Sequence, residues 1–147
     1  MPRIFAATRS HGQSLTLALL DIDRFRRIND EIGHLDGDRA IRQIAATLDA
    51  ALEERERLVR LGGEEFVLLL HCPIGSAWER VDRLRREIAE KPFQPGRGME
   101  AQRLTISAGL AAWPHDGTEL STLLGSADRR LQQAKHEGSN RVIARDA

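Results

Sequence analysis

The sequence predicts a single α+β domain, one sheet packed by helices, and three observations carry that expectation. Leu15 to Ile22 is nearly continuously apolar, broken by Asp21 just before its end, as in a strand buried on both faces. Apolar stripes at helical spacing recur in four further segments, with short strand-like runs between them. The 147 residues, 41% apolar, suffice for one core, and no repeat, low-complexity tract or composition shift divides them.

The elements follow in order. After the first strand, Phe25, Ile28 and Ile32 mark a helix that Gly33 is placed to end. Asp36 is a good N-cap for a second helix, whose apolar face is Ile41, Ile44, Ala45 and Leu48 and which runs to about Leu52. Two apolar runs, Leu58-Val59 and Phe66 to Leu70, flank Gly62-Gly63-Glu64-Glu65; paired glycines can supply the positive φ of a tight turn, so this is a hairpin. Ser76 and Glu79 have the spacing of a capping box before a third helix, which Val81, Leu84 and Ile88 continue and Pro92 stops. Residues 94–98 form a loop, and Leu104 to Ser107 alternates as a strand. Leu120, Leu123, Leu124, Ala127, Leu131 and Ala134 stripe a fourth helix ending near Gly138, and Arg141 to Ala144 is a last strand.

Composition excludes several functions. Twenty-two basic residues balance 22 acidic ones, so no overall field draws in nucleic acid or an anionic membrane. With no Tyr, four Phe and two Trp, the aromatic platforms of a single-strand binder are missing. The lone Cys72, in an apolar run, excludes an internal disulfide framework, reads as a small buried hydrophobe and fits a reducing cytoplasm. No stretch approaches the roughly 18 apolar residues of a membrane span, and the first five residues lack the apolar core of a signal peptide. Of the basic residues 20 are Arg and two are Lys, Lys91 and Lys135.

The sharpest chemical feature pairs Asp21 and Asp23, at the end of the first strand, with Glu64 and Glu65 at the hairpin tip. If the hairpin lies beside that strand the carboxylates converge, and a cluster of oxygen ligands suits Mg²⁺. Arg24-Phe25-Arg26 opens the first helix, where free amides and the dipole favour an anion. Metal plus helix N-terminus is the apparatus of a nucleoside triphosphate site. Taken singly each feature has an ordinary reading: a glycine turn with solvated glutamates, an Asp helix cap, a His in a turn, an Arg pair on a solvated face.

Together and in register they resemble a known family. The string Asp21-Ile22-Asp23-Arg24-Phe25-Arg26-Arg27-Ile28-Asn29-Asp30, then Gly33-His34 and Gly37-Asp38, then Gly62-Gly63-Glu64-Glu65-Phe66, is similar to the GGDEF domain of diguanylate cyclases. Leu104 to Leu110, and Ala127-Asp128 through Ala134-Lys135 to Gly138-Ser139-Asn140-Arg141-Val142, match its remaining motifs, so the resemblance covers about residues 5–145. It implies a ferredoxin-like, palm-type nucleotide-cyclase sandwich: a central, mainly antiparallel sheet of about five strands packed by about four helices. The implied activity joins two GTP into cyclic di-3′,5′-guanylate (c-di-GMP), with release of two pyrophosphates, in a transient antiparallel homodimer using Mg²⁺ or Mn²⁺. Carried over by position, Asp21, Glu64 and the Ile22 carbonyl hold the metal. Glu64 also helps deprotonate the attacking hydroxyl, and Glu65 supports the metal site. Asn29 and Asp38 read guanine with His34 beside them; Phe25, Arg26, Gly62, Gly63 and Lys135 complete the substrate site. The alternative is a degenerate module that binds GTP or c-di-GMP without turnover. The resemblance implies neither nucleic acid nor membrane contact by the domain, and a cytoplasmic location, alone or as part of a larger membrane protein.

Four departures qualify the match. Arg26 stands where the family most often has Lys, which keeps the charge but changes a point cation into a planar fork. Ser139 stands where the family usually has a phosphate-contacting Arg; loss of such a contact costs about 1.5–3 kcal/mol, with Arg141 and Arg26 placed to compensate. The Arg-x-x-Asp motif of product-inhibited members is replaced by Glu53 and Glu56, so no product site is expected there. The chain also begins inside the helix that precedes the family's first strand, so it reads as N-terminally clipped and lacking the usual upstream sensory or dimerising module.

Overall fold

The computed structural model describes residues 14–146. The expectation about a clipped leading helix falls on residues outside that span. Nine elements follow the expected order: β1 (Leu15–Ile22), α1 (Phe25–Ile32), α2 (His34–Ala50), β2 (Arg57–Arg60), β3 (Glu65–Leu70), α3 (Ile74–Glu90), β4 (Ile106–Trp113), α4 (Leu120–His136) and β5 (Val142–Ile143). The strands form one sheet in the order β2-β3-β1-β4-β5, antiparallel except for β4 with β5. This is the expected palm-type sandwich of five strands and four helices.

β1 lies at the centre with all eight residues buried, which explains its unbroken apolar run. Because side chains alternate across a strand, Ala18, Leu20 and Ile22 face a core completed by α2 and α3, while Leu15, Leu17 and Leu19 meet Leu123, Ala127 and Leu131 of α4. β3 divides in the same way, Phe66, Leu68 and Leu70 toward the first layer and Val67 and Leu69 toward the second. α4 presses so closely that a Cβ on Gly109 would lie 2.0 Å from the Ala127 carbonyl oxygen and 2.4 Å from the Leu131 nitrogen. Only glycine fits there.

Among the boundaries that differ from expectation, including a last strand shortened to Val142–Ile143, three have a clear physical reason. α2 starts at His34 rather than Asp36, because Gly33 (φ 90°) both ends α1 through its N–H to the Asn29 carbonyl and begins α2 by accepting from Gly37. The Ser76 capping box does not form: Pro73, with its fixed φ, takes the N-cap position and the helix begins at Ile74, leaving Ser76 inside the first turn. The strand expected at Leu104–Ser107 is Ile106–Trp113; its run of Ala108, Gly109, Ala111 and Ala112 is small because α4 packs there, and small residues carry little strand signal.

Candidate active site

Antiparallel pairing sets the hairpin beside β1, as expected, with Asp21 opposite Glu65 on one side and Ser107 on the other. The tip is closed by Leu61 N–H donating to the Glu65 carbonyl (2.9 Å) and tethered to β1 by Ile22 N–H donating to the Glu64 carbonyl (3.2 Å). Arg60 grips the other side, its guanidinium donating to the carbonyls of Gly62 (3.1 Å) and Gly63 (2.8 Å).

Asp21 is buried at the end of the central strand. One carboxylate oxygen pairs with the Lys135 ammonium from the last turn of α4; the other is buried with no hydrogen-bond partner among the described residues. Glu65, half-buried, has its carboxyl raised above the usual range, first by burial and then by the negative charge of Asp21, with Lys135 opposing. An orphaned buried oxygen, a second carboxyl destabilised by its neighbour's charge and an all-oxygen donor set together fit a hard divalent cation. Among the described residues no three Asp, Glu, His or Cys side chains form a ready cage, so such a cation would draw its remaining ligands from a backbone carbonyl, the substrate or water.

Asp23 does not join this cluster, which corrects the expected convergence of four carboxylates. It turns into the protein, where one oxygen accepts from Ser107 Oγ (2.6 Å) and the other from Thr105 Oγ1 (2.7 Å) and the Asn140 amide (3.0 Å). Residue spacing could not separate it from Asp21, two positions earlier, because the strand ends between them.

Beside the hairpin tip a cleft of about 500 Å³ is lined by Phe25, Arg26, Asn29, His34, Asp38, Ile41, Gly63 and Glu64. Seven of these eight were expected from the sequence. Asn29 Nδ2 lies 2.9 Å from His34 Nδ1, and the Asn29 amide sits where a Gly37 Cβ would fall, 1.8 Å from its Oδ1, so Gly37 admits it. Asp38 carries an exposed ion pair with Arg42 at 3.0 Å. By spacing Ile41 belongs to the helix core; its place one turn beyond Asp38 on the His34 face is the signal that it also lines the cleft. Gly62 is not part of the lining. A larger groove of about 890 Å³ beside β5 contains none of the expected site residues and is flanked by the Arg130–Asp116 ion pair.

The departures also have places. Ser139 and Asn140 adopt left-handed backbone (φ 65° and 52°) in the turn after α4. Arg141 folds over that turn, donating to the Ser139 carbonyl (3.2 Å) and pairing with Glu137 (3.4 Å), so of the two residues placed to compensate for Ser139 only Arg26 lines the cleft. Glu56 is buried and accepts from Arg80 through both oxygens (2.6 and 2.8 Å) and from the amides of Glu53 and His71 (2.9 Å each). Burial alone would raise its carboxyl, but those donors outweigh burial and hold it at about 2.

The family model "Diguanylate cyclase, GGDEF domain" matches residues 3–141. Diguanylate cyclase DgcP of Pseudomonas aeruginosa is 41% identical over 133 residues, 89% of this chain and 19% of that protein. The active GGEEF domain of a diguanylate cyclase from Vibrio cholerae superposes with a TM-score of 0.89 at 26% identity, covering 99% of this chain and 91% of that one. The GGDEF domain of DgcB from Caulobacter crescentus, solved in complex with c-di-GMP, gives 0.88 at 29% identity, covering 97% and 84%. The fold is that of a palm-type nucleotide-cyclase domain. More narrowly, the chain belongs to the GGDEF domain family of diguanylate cyclases, and it spans 19% to 39% of the length of the curated relatives it matches. Among the described residues no helix is long and apolar enough to cross a membrane.

Proposed function

We propose that this domain condenses two GTP into c-di-GMP and two pyrophosphates, as half of a transient antiparallel homodimer. The observation that carries the reading is the cleft itself: a guanine-compatible end (Asn29, His34, Asp38) and a basic residue (Arg26) open onto the tip that bears Glu64, next to the Asp21–Glu65–Lys135 cluster. The Asn29 amide can bond the guanine edge, and the Asp38 carboxylate accepts from the ring N–H and exocyclic amine that adenine lacks in that arrangement. Ile41 and Phe25 supply apolar contact for the base.

Arg26 and Lys135 hold phosphate oxygens, and Lys135 leaves Asp21 to do so. Asp21, Glu64 and the Ile22 carbonyl are the residues to hold Mg²⁺, with Mn²⁺ as substitute; the ion, when bound, neutralises phosphate charge and polarises the α-phosphate. Each 3′-hydroxyl attacks the α-phosphorus of the GTP held by the partner domain. The new O3′–P bond forms as the bond to the bridging oxygen breaks, and pyrophosphate leaves with its electron pair. Glu64 accepts the hydroxyl proton, and Glu65, paired across the sheet with Asp21, supports the metal site. An upstream module that brings two domains together, and placement on the cytoplasmic side, belong to the same reading.

Incubation with GTP and Mg²⁺ tests it: the expected result is one c-di-GMP and two pyrophosphates per turnover. A second reading, nucleotide binding without turnover, is favoured by the uncharged Ser139 with Arg141 turned away from the cleft. Tight GTP binding with no product at high protein concentration supports it over the first.

A further inference from the structure

Asp23 is a carboxylate only 5% exposed, and among the described residues no cation pairs with it. A buried charge of this kind persists only when hydrogen bonds replace its water, and here three donors do so. They come from two separate parts of the chain: Thr105 just before β4 with Ser107 within it, and the amide of Asn140 in the turn between α4 and β5. Ser107 Oγ also accepts from the Asn140 amide at 3.0 Å, and the Asp23 amide donates to the Thr105 carbonyl at 2.9 Å. One side chain thus clamps the end of β1, the head of β4 and the turn after α4.

What stands on either side of the clamp is chemical. Asp21 lies two residues before it, and Lys135 belongs to the helix end from which the clamped turn departs, with Gly138 N–H on the Lys135 carbonyl (3.2 Å) and Ser139 N–H on that of Ala134 (2.9 Å). That turn holds three successive positive φ values, two of them at residues with a Cβ, so it relies on outside contacts to keep its form.

We infer that Asp23 is a positioning residue that fixes Asp21 and Lys135 relative to one another, without touching substrate or metal. What the two positioned groups do rests on the proposed cyclase function. Asparagine at this position can keep the clamp without the charge. Its amide oxygen accepts from Thr105 and Asn140, and its amide nitrogen donates to Ser107 Oγ, a hydroxyl that also accepts.

The test compares Asp23→Ala, Asp23→Asn and Ser107→Ala with the wild-type chain in GTP turnover, and in calorimetric titration with a non-hydrolysable GTP analogue in Mg²⁺ and in EDTA. Asp23→Ala is expected to lower kcat on the order of a hundredfold, while analogue affinity in EDTA stays within about threefold because the guanine end of the cleft is untouched. The gain in analogue affinity from Mg²⁺ falls with it, whereas Asp23→Asn keeps both within about tenfold of wild type. Asp23→Asn as inactive as Asp23→Ala would mean that the charge itself acts and would overturn the inference. So would an Asp23→Ala protein of lower melting temperature but unchanged kcat and Mg²⁺-dependent affinity, which is a purely structural role. If Asp23→Ala does not fold, Asp23→Asn and Ser107→Ala decide, the latter with a smaller loss in the same direction; an unchanged Ser107→Ala with an inactive Asp23→Asn overturns the inference. A wild type that binds the analogue with Mg²⁺ but makes no product refutes the cyclase function alone, and the calorimetry still decides for Asp23. No Mg²⁺-dependent binding at all refutes both.

Discussion

Replacing Glu56 by Gln tests how this chain uses a position at which relatives subject to product inhibition are expected to carry a product-binding Asp. Its carboxylate is held at about 2 against an ordinary 4.5, a difference worth roughly 3 kcal/mol of folding stability at neutral pH. Because the folded group has the lower pKa, the unfolded chain binds more protons below about 4.5. The contribution is therefore full above that pH and is lost as pH falls toward about 2, with about 2 of the 3 kcal/mol gone by pH 3. Gln keeps the volume but leaves the Arg80 fork without its anion, the situation in which breaking a buried pair is costly. Urea unfolding followed by circular dichroism at pH 7 and pH 3 should show Glu56→Gln about 3 kcal/mol less stable at pH 7 and the gap roughly halved or less at pH 3. A variant within 1 kcal/mol or so of wild type at pH 7, or a gap independent of pH, would refute the assignment of Glu56 as a structural anchor.

Other consequences follow from the same geometry. Asp38→Asn exchanges an acceptor for a donor facing guanine, so GTP binding weakens about ten- to a hundredfold while ATP binding does not, read by competition with a fluorescent GTP analogue. With Glu53 acidic and Glu56 engaged by Arg80, calorimetric titration with c-di-GMP should reveal no high-affinity site that Glu53→Ala abolishes. Gly109→Ala drives a methyl into the α4 backbone at 2.0 Å, where nothing flexible can yield; a loss of about 3 kcal/mol or failure to fold is expected, and a melting temperature near wild type would contradict the packing described.

The parts of the molecule legible from sequence were those governed by local pattern. β1 reads correctly because it is buried on both faces, and the hairpin because apolar runs flank a glycine pair, although neither Gly62 nor Gly63 takes the positive φ expected of a tight turn. The cleft was legible because seven of its residues fall within motifs of fixed spacing. What pattern could not show is direction. Asp21 and Asp23 are indistinguishable as letters, yet one faces Lys135 and the other Thr105, Ser107 and Asn140, because the tertiary fold supplies the partners from more than 80 residues away. The small residues of β4 hid most of the strand's length, for a reason that exists only once α4 is packed. Arg141 could stand in for Ser139 on spacing alone, and only its contacts with Glu137 and Ser139 take it out of the cleft.

The most direct test of the central claim is the initial rate of c-di-GMP formation from GTP and Mg²⁺, measured against protein concentration for the wild-type chain and for Glu64→Ala. Two half-sites meeting to form two phosphodiester bonds predict a rate that climbs faster than linearly in protein before dimers saturate, and its loss by several orders of magnitude in Glu64→Ala, on the order of the 10²–10⁴-fold that a positioned proton acceptor contributes. Product formed at the same rate by Glu64→Ala, or a rate strictly linear in protein down to the lowest concentration, would contradict it.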